Sequence, residues 1–569
     1  MALKPNHAPF LAAAGDALTK LGRQDEAIAQ YCQAIAIAPD QPHAHENLGR
    51  VLYKLDRRKE AVKSLQQAIR LAPKNYEAIA LLGKALLDLD LVPQALEALA
   101  DVLRLRPDHA SSLSILMHGR QTICDWTDFA ANRKRLSDLV RQKTVAASPF
   151  SMLLISDEPE LHLAAATRTS HYEPPAKPIS FPARGRPDRK LRLGYVSADY
   201  RRHAFAILAS GLFPRHDRDA FEVFAFSLGE DDGSDFRKRL VFSFDGFFDV
   251  RQRSSESVAE EMRRMEIDIA IDLTSHTKDG RPAIFQNRAA PIQVNYLGYP
   301  GTSGADYMDY IILDPFIATE RVRANLSEKP VILPHCYQVN DRARPFPQAM
   351  PSRAECGLPE SGFVFCAFNN PQKITPDIFD VWMRILGQVD GSVLWLLAAH
   401  RAIPANLRRE AEARGMSPDR LVIGKFMDLE QHLPRYRLAD LFLDTLPYGA
   451  HTTTSDALWM GCPVLTCAGE SFAARVAGSL LQTVGLPELI TGDLRGYERL
   501  AVELAANPER LAEMRTRLAA VRLTTPLFDT ALFTADIERA YLEMWRLHQS
   551  GEAPREIVIP ASEKAAARA

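Results

Sequence analysis

The chain carries almost no net charge: 69 basic residues stand against 71 acidic ones over 569 positions. That balance excludes a broad electrostatic footprint for nucleic acid or anionic lipid, so any bound anion must be held by a local constellation. Cysteine is also sparse. Seven are scattered singly, and the one close pair, Cys462 and Cys467, has no second pair to complete a zinc site, which predicts reduced thiols and no structural metal. No apolar run approaches the ~20 residues that a membrane helix needs. The opening MALKPNHAPFLAAAGDALTK lacks the charged start, apolar stretch and cleavage site of a secretory signal, so a cytoplasmic protein with no membrane or nucleic-acid partner is expected. Length, in contrast, is ample. At about 150 residues per domain the chain should hold three or four units.

A repeat organises the front. Pro39, Pro73 and Pro107 stand 34 residues apart, in IAIAPDQ, IRLAPKN and LRLRPDH. Twelve residues before each proline lies Ala27, Ala61 or Ala95, and 24 before each lies Gly15, Gly49 or Gly83. Small residues at those offsets let the two helices of one repeat approach closely, while aliphatics recur between them at helical spacing and each proline opens the next turn. The pattern resembles tetratricopeptide repeats. Such a solenoid offers a concave surface suited to extended peptide, although stacking of the repeats alone would require the same residues.

Beyond the repeats, 111–172 reads as a non-repeating helical adaptor and 173–190, EPPAKPISFPARGRPDRK, as a Pro-rich linker. Short β-type runs then alternate with helical ones, which predicts parallel doubly wound sheets. LRLGYVSAD, FEVFAFSL, DIAIDLT, PIQVNYLG and DYIILD belong to a first lobe, 191–345. FVFCAFNN, VLWLLAA, LVIGKF, LFLDTLP and PVLTCAG belong to a second, 346–550, leaving 551–569 as a flexible tail.

Ligands of such sheets sit beyond the carboxyl ends of strands, and polar clusters lie there in this sequence. SADYRRHAF places Asp199 and His203 four residues apart, on one face if the segment is helical, and a histidine beside a carboxylate can serve as a general base. GYPGTSG, Gly298 to Gly304, permits close backbone approach to a ligand. FNNPQKITP brings Asn370 and Lys373, and MDLEQHLPRYRLADLFLDTLP brings His432 and Arg435 on one helical face. In PYGAHTTTSDALWMGCPVLTCAGE, His451 and three threonines precede a helical run, with Asp456 one turn later. One of Thr452 to Ser455 is expected to cap a helix beginning near Asp456, whose start would be an anion site. Each cluster alone also fits a solvated ion pair or a tight loop; their joint placement after strands is the stronger signal. The single DxD, Asp217 and Asp219, sits in a turn-like stretch. A metal-free mechanism is therefore expected, with Lys373 and the helix start meeting leaving-group charge.

Taken together, LRLGYVSADYRRHAF, DDGSDFR, PIQVNYLGYPGTSG, FNNPQKITP, VLWLL, LADLFLDT, HTTTSDALWMGCPVLT and GESFAARV resemble the protein O-GlcNAc transferase family in the family's order, in a short bacterial-type form. The resemblance implies a tetratricopeptide α-solenoid over 1–110, with three clear repeats, followed by a GT-B region of two Rossmann-like parallel-sheet lobes. It further implies an inverting, metal-independent transfer of N-acetylglucosamine from UDP-GlcNAc to protein Ser and Thr hydroxyls, with no cofactor and with a UDP-sugar and an acceptor protein as partners. By the same carry-over, Lys373 meets the β-phosphate and Asn370 the diphosphate, while His451, Thr452 and Thr453 hold that diphosphate at the helix start. Asp456 takes the ribose, His432 and Arg435 the uracil, and Leu297 and Gly298 lie beside the sugar. His203 with Asp199 matches the proposed base or proton route, for which the donor's α-phosphate is the alternative. Tyr448 stands where the animal members have a smaller cysteine, which leaves the sugar open: GDP-fucose or UDP-glucose donors, or a scaffold that binds nucleotide sugar without turnover, are the rival readings.

Overall fold

The computed structural model of the chain describes residues 7–142, 146–170, 181 and 189–562. These fall into two compact units, one of residues 1–120 with 127–147 and one of 121–126 with 148–569. The stretch 111–172, expected as one adaptor, is thus shared between them, and the expected linker lies outside the described residues except for 181, 189 and 190.

In the first unit, α1 (Ala8–Lys20) packs on α2 (Gln24–Ile37), α3 (Pro42–Lys54) on α4 (Arg58–Leu71) and α5 (Tyr76–Asp88) on α6 (Val92–Leu105). Close packing explains the small residues. Ala27, Ala61 and Ala95 are fully buried. A Cβ on Gly15, Gly49 or Gly83 would come within 2.6, 2.7 or 2.7 Å of Tyr31, Leu65 or Leu99, so each glycine admits the bulky side chain sixteen residues later. Gly22, Asp56 and Asp90, again one repeat apart, carry the left-handed turn inside each helix pair, with φ of 74°, 61° and 59°. Each repeat proline opens the two-residue turn to the next pair.

The second unit contains two all-parallel sheets. The strands, in chain order, are β1 (Leu191–Ser197), β2 (Phe221–Ser227), β3 (Gly246–Asp249), β4 (Ile269–Asp272), β5 (Ile292–Asn295), β6 (Tyr310–Leu313), β7 (Lys329–Ile332), β8 (Val364–Ala367), β9 (Val393–Ala398), β10 (Leu421–Lys425), β11 (Leu441–Leu443), β12 (Val464–Cys467), β13 (Ile490–Thr491) and β14 (Ile557–Val558). The first sheet runs β14-β7-β6-β5-β4-β1-β2-β3 and the second β10-β9-β8-β11-β12-β13. Most central strands are buried along their whole length, as parallel strands covered on both faces must be. Strand order reverses between β1 and β4 in one sheet and between β8 and β11 in the other, and these switch points open the crevices where ligands of such sheets bind.

Two boundaries differ from expectation. The last helix, Thr530–Gln549, leaves the second lobe and packs on β5, where the Tyr541 hydroxyl lies 3.2 Å from that of Tyr195 and Glu538 accepts from His216 Nδ1 at 2.9 Å. The chain then adds β14 beside β7, so the expected tail is ordered sheet up to that point. Alternation is the reason: Ile557 and Ile559 point into the core while Val558 stays exposed, a short edge strand that completes the side of β7. Residues 563–569 lie outside the described residues. Among the described residues no helix is long and apolar enough to cross a membrane.

Candidate active site

The turn after β8 and the loop after β11 flank the second sheet's switch point. Asn370 caps the short 3-10 turn Pro371–Lys373, its side chain accepting from Gln372 N at 3.2 Å. That turn aims Lys373 inward. Its Nζ donates to Gly449 O at 2.7 Å and lies 3.8 Å from the centroid of the Tyr448 ring. Burial pushes the ammonium down to about 7, with Asp444 opposing.

Asp444, at the end of β11 and nearly inaccessible, shapes the loop that meets this lysine. One carboxylate oxygen accepts from Thr445 N at 2.7 Å and Ala450 N at 2.6 Å, and the other from Thr466 Oγ1 at 2.7 Å. The loop then delivers His451, whose Nε2 donates to Ala473 O at 3.0 Å. Burial, with the neighbouring Lys373 cation, holds this imidazole well below its ordinary range, so it is neutral.

The helix begins earlier than its sequence suggests. It spans Thr452–Trp459, its N-cap is His451, and no side chain caps it. The expected threonine cap is absent because the threonines lie inside the helix and His451 holds the cap position; Thr453 Oγ1 donates to Asn369 Oδ1, and Thr454 Oγ1 to Ala450 O at 3.2 Å. The first turn therefore keeps backbone N–H groups without a capping acceptor, beside a lysine and with the helix dipole behind them. Asp456 lies in the second turn of this helix, buried, with Oδ1 3.1 Å from Arg344 Nη1. Burial raises its carboxyl to about 6, against the pull of Arg344.

A second cluster gathers around Phe368, two residues before Asn370. His432 ends the helix Leu429–His432, and Arg435 sits in the 3-10 segment Leu433–Leu438 that follows. The His432 ring centroid lies 5.1 Å from Phe368 and 5.2 Å from Tyr436, and its buried Nδ1 has no hydrogen-bond partner. Burial, then Arg435, pushes its pKa to about 4. Arg435 donates to Lys425 O at 2.8 Å. The three rings meet edge to face, and an unmet ring nitrogen with a guanidinium nearby are groups that can contact a planar heteroaromatic base.

On the first lobe, Asp199 and His203 meet although the segment between them is not helical. His203 adopts extended backbone and caps the helix Ala204–Ala209, its Nδ1 3.4 Å from Phe205 N and 3.6 Å from Asp199 Oδ2. Burial lowers its pKa and Asp199 opposes, so the imidazole is neutral near pH 7. Leu297 follows β5 with φ of 65°, a conformation that costs a leucine about 1 kcal/mol or more. Gly298 comes next because a Cβ there would stand 1.9 Å from Leu273 O, in the loop after β4.

Lys373 and His451 meet around Tyr448 and Gly449, His432 packs instead on Phe368 and Tyr436 with Arg435 near it, Asp456 pairs with Arg344, and Leu297 and Gly298 touch the loop after β4. The His203-capped helix packs against the Thr452–Trp459 helix, and Arg202 Nη1 lies 3.4 Å from Asp428 Oδ1, just ahead of His432. Three residues escaped sequence reasoning. Asp444 and Asn369 could have been found as polar residues ending apolar runs, in LFLDT and CAFNN; Arg344, in the connection between lobes, carried no signal. The Asp217–Asp219 pair forms the expected turn, Asp217 Oδ1 accepting from Asp219 N at 2.9 Å. Among the described residues no group of three His, Cys, Asp or Glu side chains gathers as a metal site would.

Comparison with known proteins agrees with this architecture. Residues 123–351 and 345–537 match glycosyl transferase family 41, and 15–56 and 42–75 match tetratricopeptide repeats. The Arabidopsis thaliana protein named probable UDP-N-acetylglucosamine–peptide N-acetylglucosaminyltransferase SEC is 35% identical over 466 residues, covering 78% of this chain and 48% of its own. The Caenorhabditis elegans UDP-N-acetylglucosamine–peptide N-acetylglucosaminyltransferase is 28% identical over 558 residues, covering 76% and 48%. The chain thus spans about half the length of these relatives. The solved O-GlcNAc transferase of Thermobaculum terrenum, a lysine-to-methionine mutant, superposes with a TM-score of 0.66 at 28% identity, over 97% of this chain and 100% of that one. A tetratricopeptide-repeat unit, two parallel Rossmann-like lobes and matches over most of the catalytic region identify the chain as a member of glycosyl transferase family 41.

Proposed function

We propose that this chain is a cytoplasmic, inverting, metal-independent glycosyltransferase that moves N-acetylglucosamine from UDP-GlcNAc to Ser and Thr hydroxyls of proteins. One observation carries the reading. At the second switch point a largely desolvated lysine and an uncapped helix start converge on one spot, with the His432 and Arg435 side chains clustered beyond Phe368. Phosphates bind such helix starts through N–H groups and dipole, and Lys373 adds a point charge. In this scheme His451, Thr452 and Thr453 hold the diphosphate with Asn370 beside it, Asp456 takes the ribose, and His432 and Arg435 take the uracil. Leu297 and Gly298 border the sugar. The acceptor hydroxyl attacks the anomeric carbon as the bond to the β-phosphate oxygen breaks, and Lys373 with the helix start stabilises the charge left on UDP without a metal ion. The hydroxyl proton passes to His203, oriented by Asp199, or to the donor's own α-phosphate. The names of the plant and nematode relatives support donor and acceptor class. The repeats supply a surface for an extended acceptor, and free cysteines fit a reducing compartment.

Thermal unfolding with UDP-GlcNAc, UDP-glucose and GDP-fucose, each with and without EDTA, tests this directly. A ligand selective for the folded state raises the Tm by mass action. UDP-GlcNAc is expected to protect best, with peptide glycosylation unchanged by EDTA. Protection by the guanine nucleotide alone would overturn the donor, and loss of turnover in EDTA the metal independence.

A further inference from the structure

The connection between the two lobes is tied to the helix that starts the proposed diphosphate site. Gln338 Nε2 donates to Ser455 Oγ at 2.7 Å, Arg344 Nη1 lies 3.1 Å from Asp456 Oδ1, and Trp459 Nε1 donates to Pro345 O at 2.9 Å. The central tie is the unusual one. Arg344's side chain is 1% exposed and that of Asp456 8%, so this is a charge pair taken out of water. Removing water from two ions is costly unless the geometry does something that apolar packing would not. The guanidinium is also only partly used: its Nε and Nη2 are buried with no hydrogen-bond partner.

Resting on the reading of Asp456 as the ribose contact, we propose that Arg344 is a positioning residue for the nucleotide, holding the Asp456 carboxylate ionised and oriented so that it accepts hydrogen bonds from the ribose hydroxyls. Charge-assisted acceptance is roughly twice as strong as neutral. Asp456 needs the help. Burial pushes its carboxyl up to about 6, and Arg344 is the cation that opposes this. The other titratable group against it is the Tyr436 phenol, held neutral by burial, and Asp341 is the further carboxylate acting on Arg344. Without the guanidinium the carboxyl would titrate higher still, closer to neutral pH.

The test is the UDP Kd of the full chain by calorimetry from pH 6.5 to 8.5, for wild type, Arg344→Gln, Arg344→Lys, Asp456→Asn and the Gln/Asn double variant. The quantity read is the ratio of variant to wild-type Kd at each pH, in which titration of Lys373 and of UDP cancels. For Arg344→Gln the ratio should be about tenfold at pH 6.5 and shrink severalfold by pH 8.5 as Asp456 ionises; in the double variant it should be flat. Arg344→Lys should stay within about threefold of wild type throughout. A pH-independent ratio for Arg344→Gln overturns the proposal, since a merely structural role would behave so. Should that variant fail to fold, the Lys variant decides: a ratio near one, or one falling with pH, supports the proposal, and a flat loss overturns it. Asp456→Asn separates the two layers. If it binds UDP like wild type, the ribose reading itself fails; if it weakens UDP while the Arg344→Gln ratio is flat, only the positioning role fails.

Discussion

The two switch points of the catalytic unit handle charge in opposite ways. After β8 and β11, Asp444 and Asp456 are buried and Lys373 and His451 partly so, and all four are displaced from their ordinary titration ranges chiefly by desolvation. After β1, Asp199 and His203 keep a loose 3.6 Å contact, and the histidine side chain remains 46% exposed. A diphosphate carries fixed charge that must be met by groups already in place, because reorganising dipoles during bond cleavage would raise the barrier. A proton acceptor for an incoming hydroxyl needs access instead, and its geometry can tighten once the acceptor arrives. On the proposed reading, the second lobe would hold the donor and the first would stay open to an acceptor protein.

The sharpest way to break this contrast is at Lys373. Lys373→Ala should lower the rate of sugar transfer by about 10³, roughly 4 kcal/mol of transition-state stabilisation, while UDP still binds through the proposed base contacts of His432 and Arg435. Radiolabel transfer to an acceptor peptide measures it. A drop below tenfold would mean that the helix start alone meets the leaving charge. His203→Ala probes the open side and should cost less, about 10² in kcat/KM for the acceptor with donor affinity unchanged. A loss under tenfold would assign the proton to the donor's α-phosphate.

What could be read in advance followed periodicity and strand ends. Ala27, Ala61 and Ala95 were legible because stacking forces the same small residue into every repeat, and Asn370, Lys373 and the His451–Asp456 stretch were legible because polar groups stand out after apolar runs, a signal that Asn369 and Asp444 shared without being picked out. Features that depend on distant partners were not. The helix starts at Thr452 and not near Asp456, with its Thr453 hydroxyl bound by Asn369, 84 residues away. The return of the last helix to β5 depends on Tyr195 and His216, more than 300 residues upstream. Arg344 acts through a carboxylate 112 residues on.

The smallest effect separates the two edges by proton count. Lys373, pushed to about 7, is only partly charged at neutral pH before nucleotide binds. A bound diphosphate favours the ammonium and raises that value, so UDP-GlcNAc, whose phosphates stay ionised throughout, should take up a fraction of a proton on binding. The sign follows from the direction of the shift: affinity is full below about pH 7 and declines above it, by about tenfold between pH 6.5 and 8.5. His203 contributes nothing here, because it is already neutral in that range and meets no donor charge. Calorimetry in buffers of unlike ionisation enthalpy reads the uptake without an acceptor present. Lys373→Met should abolish the dependence and His203→Ala should leave it intact. A wild-type affinity that is flat with pH would show that the buried lysine does not meet the nucleotide's charge, and the contrast between a charge-holding edge and an open one would collapse with it.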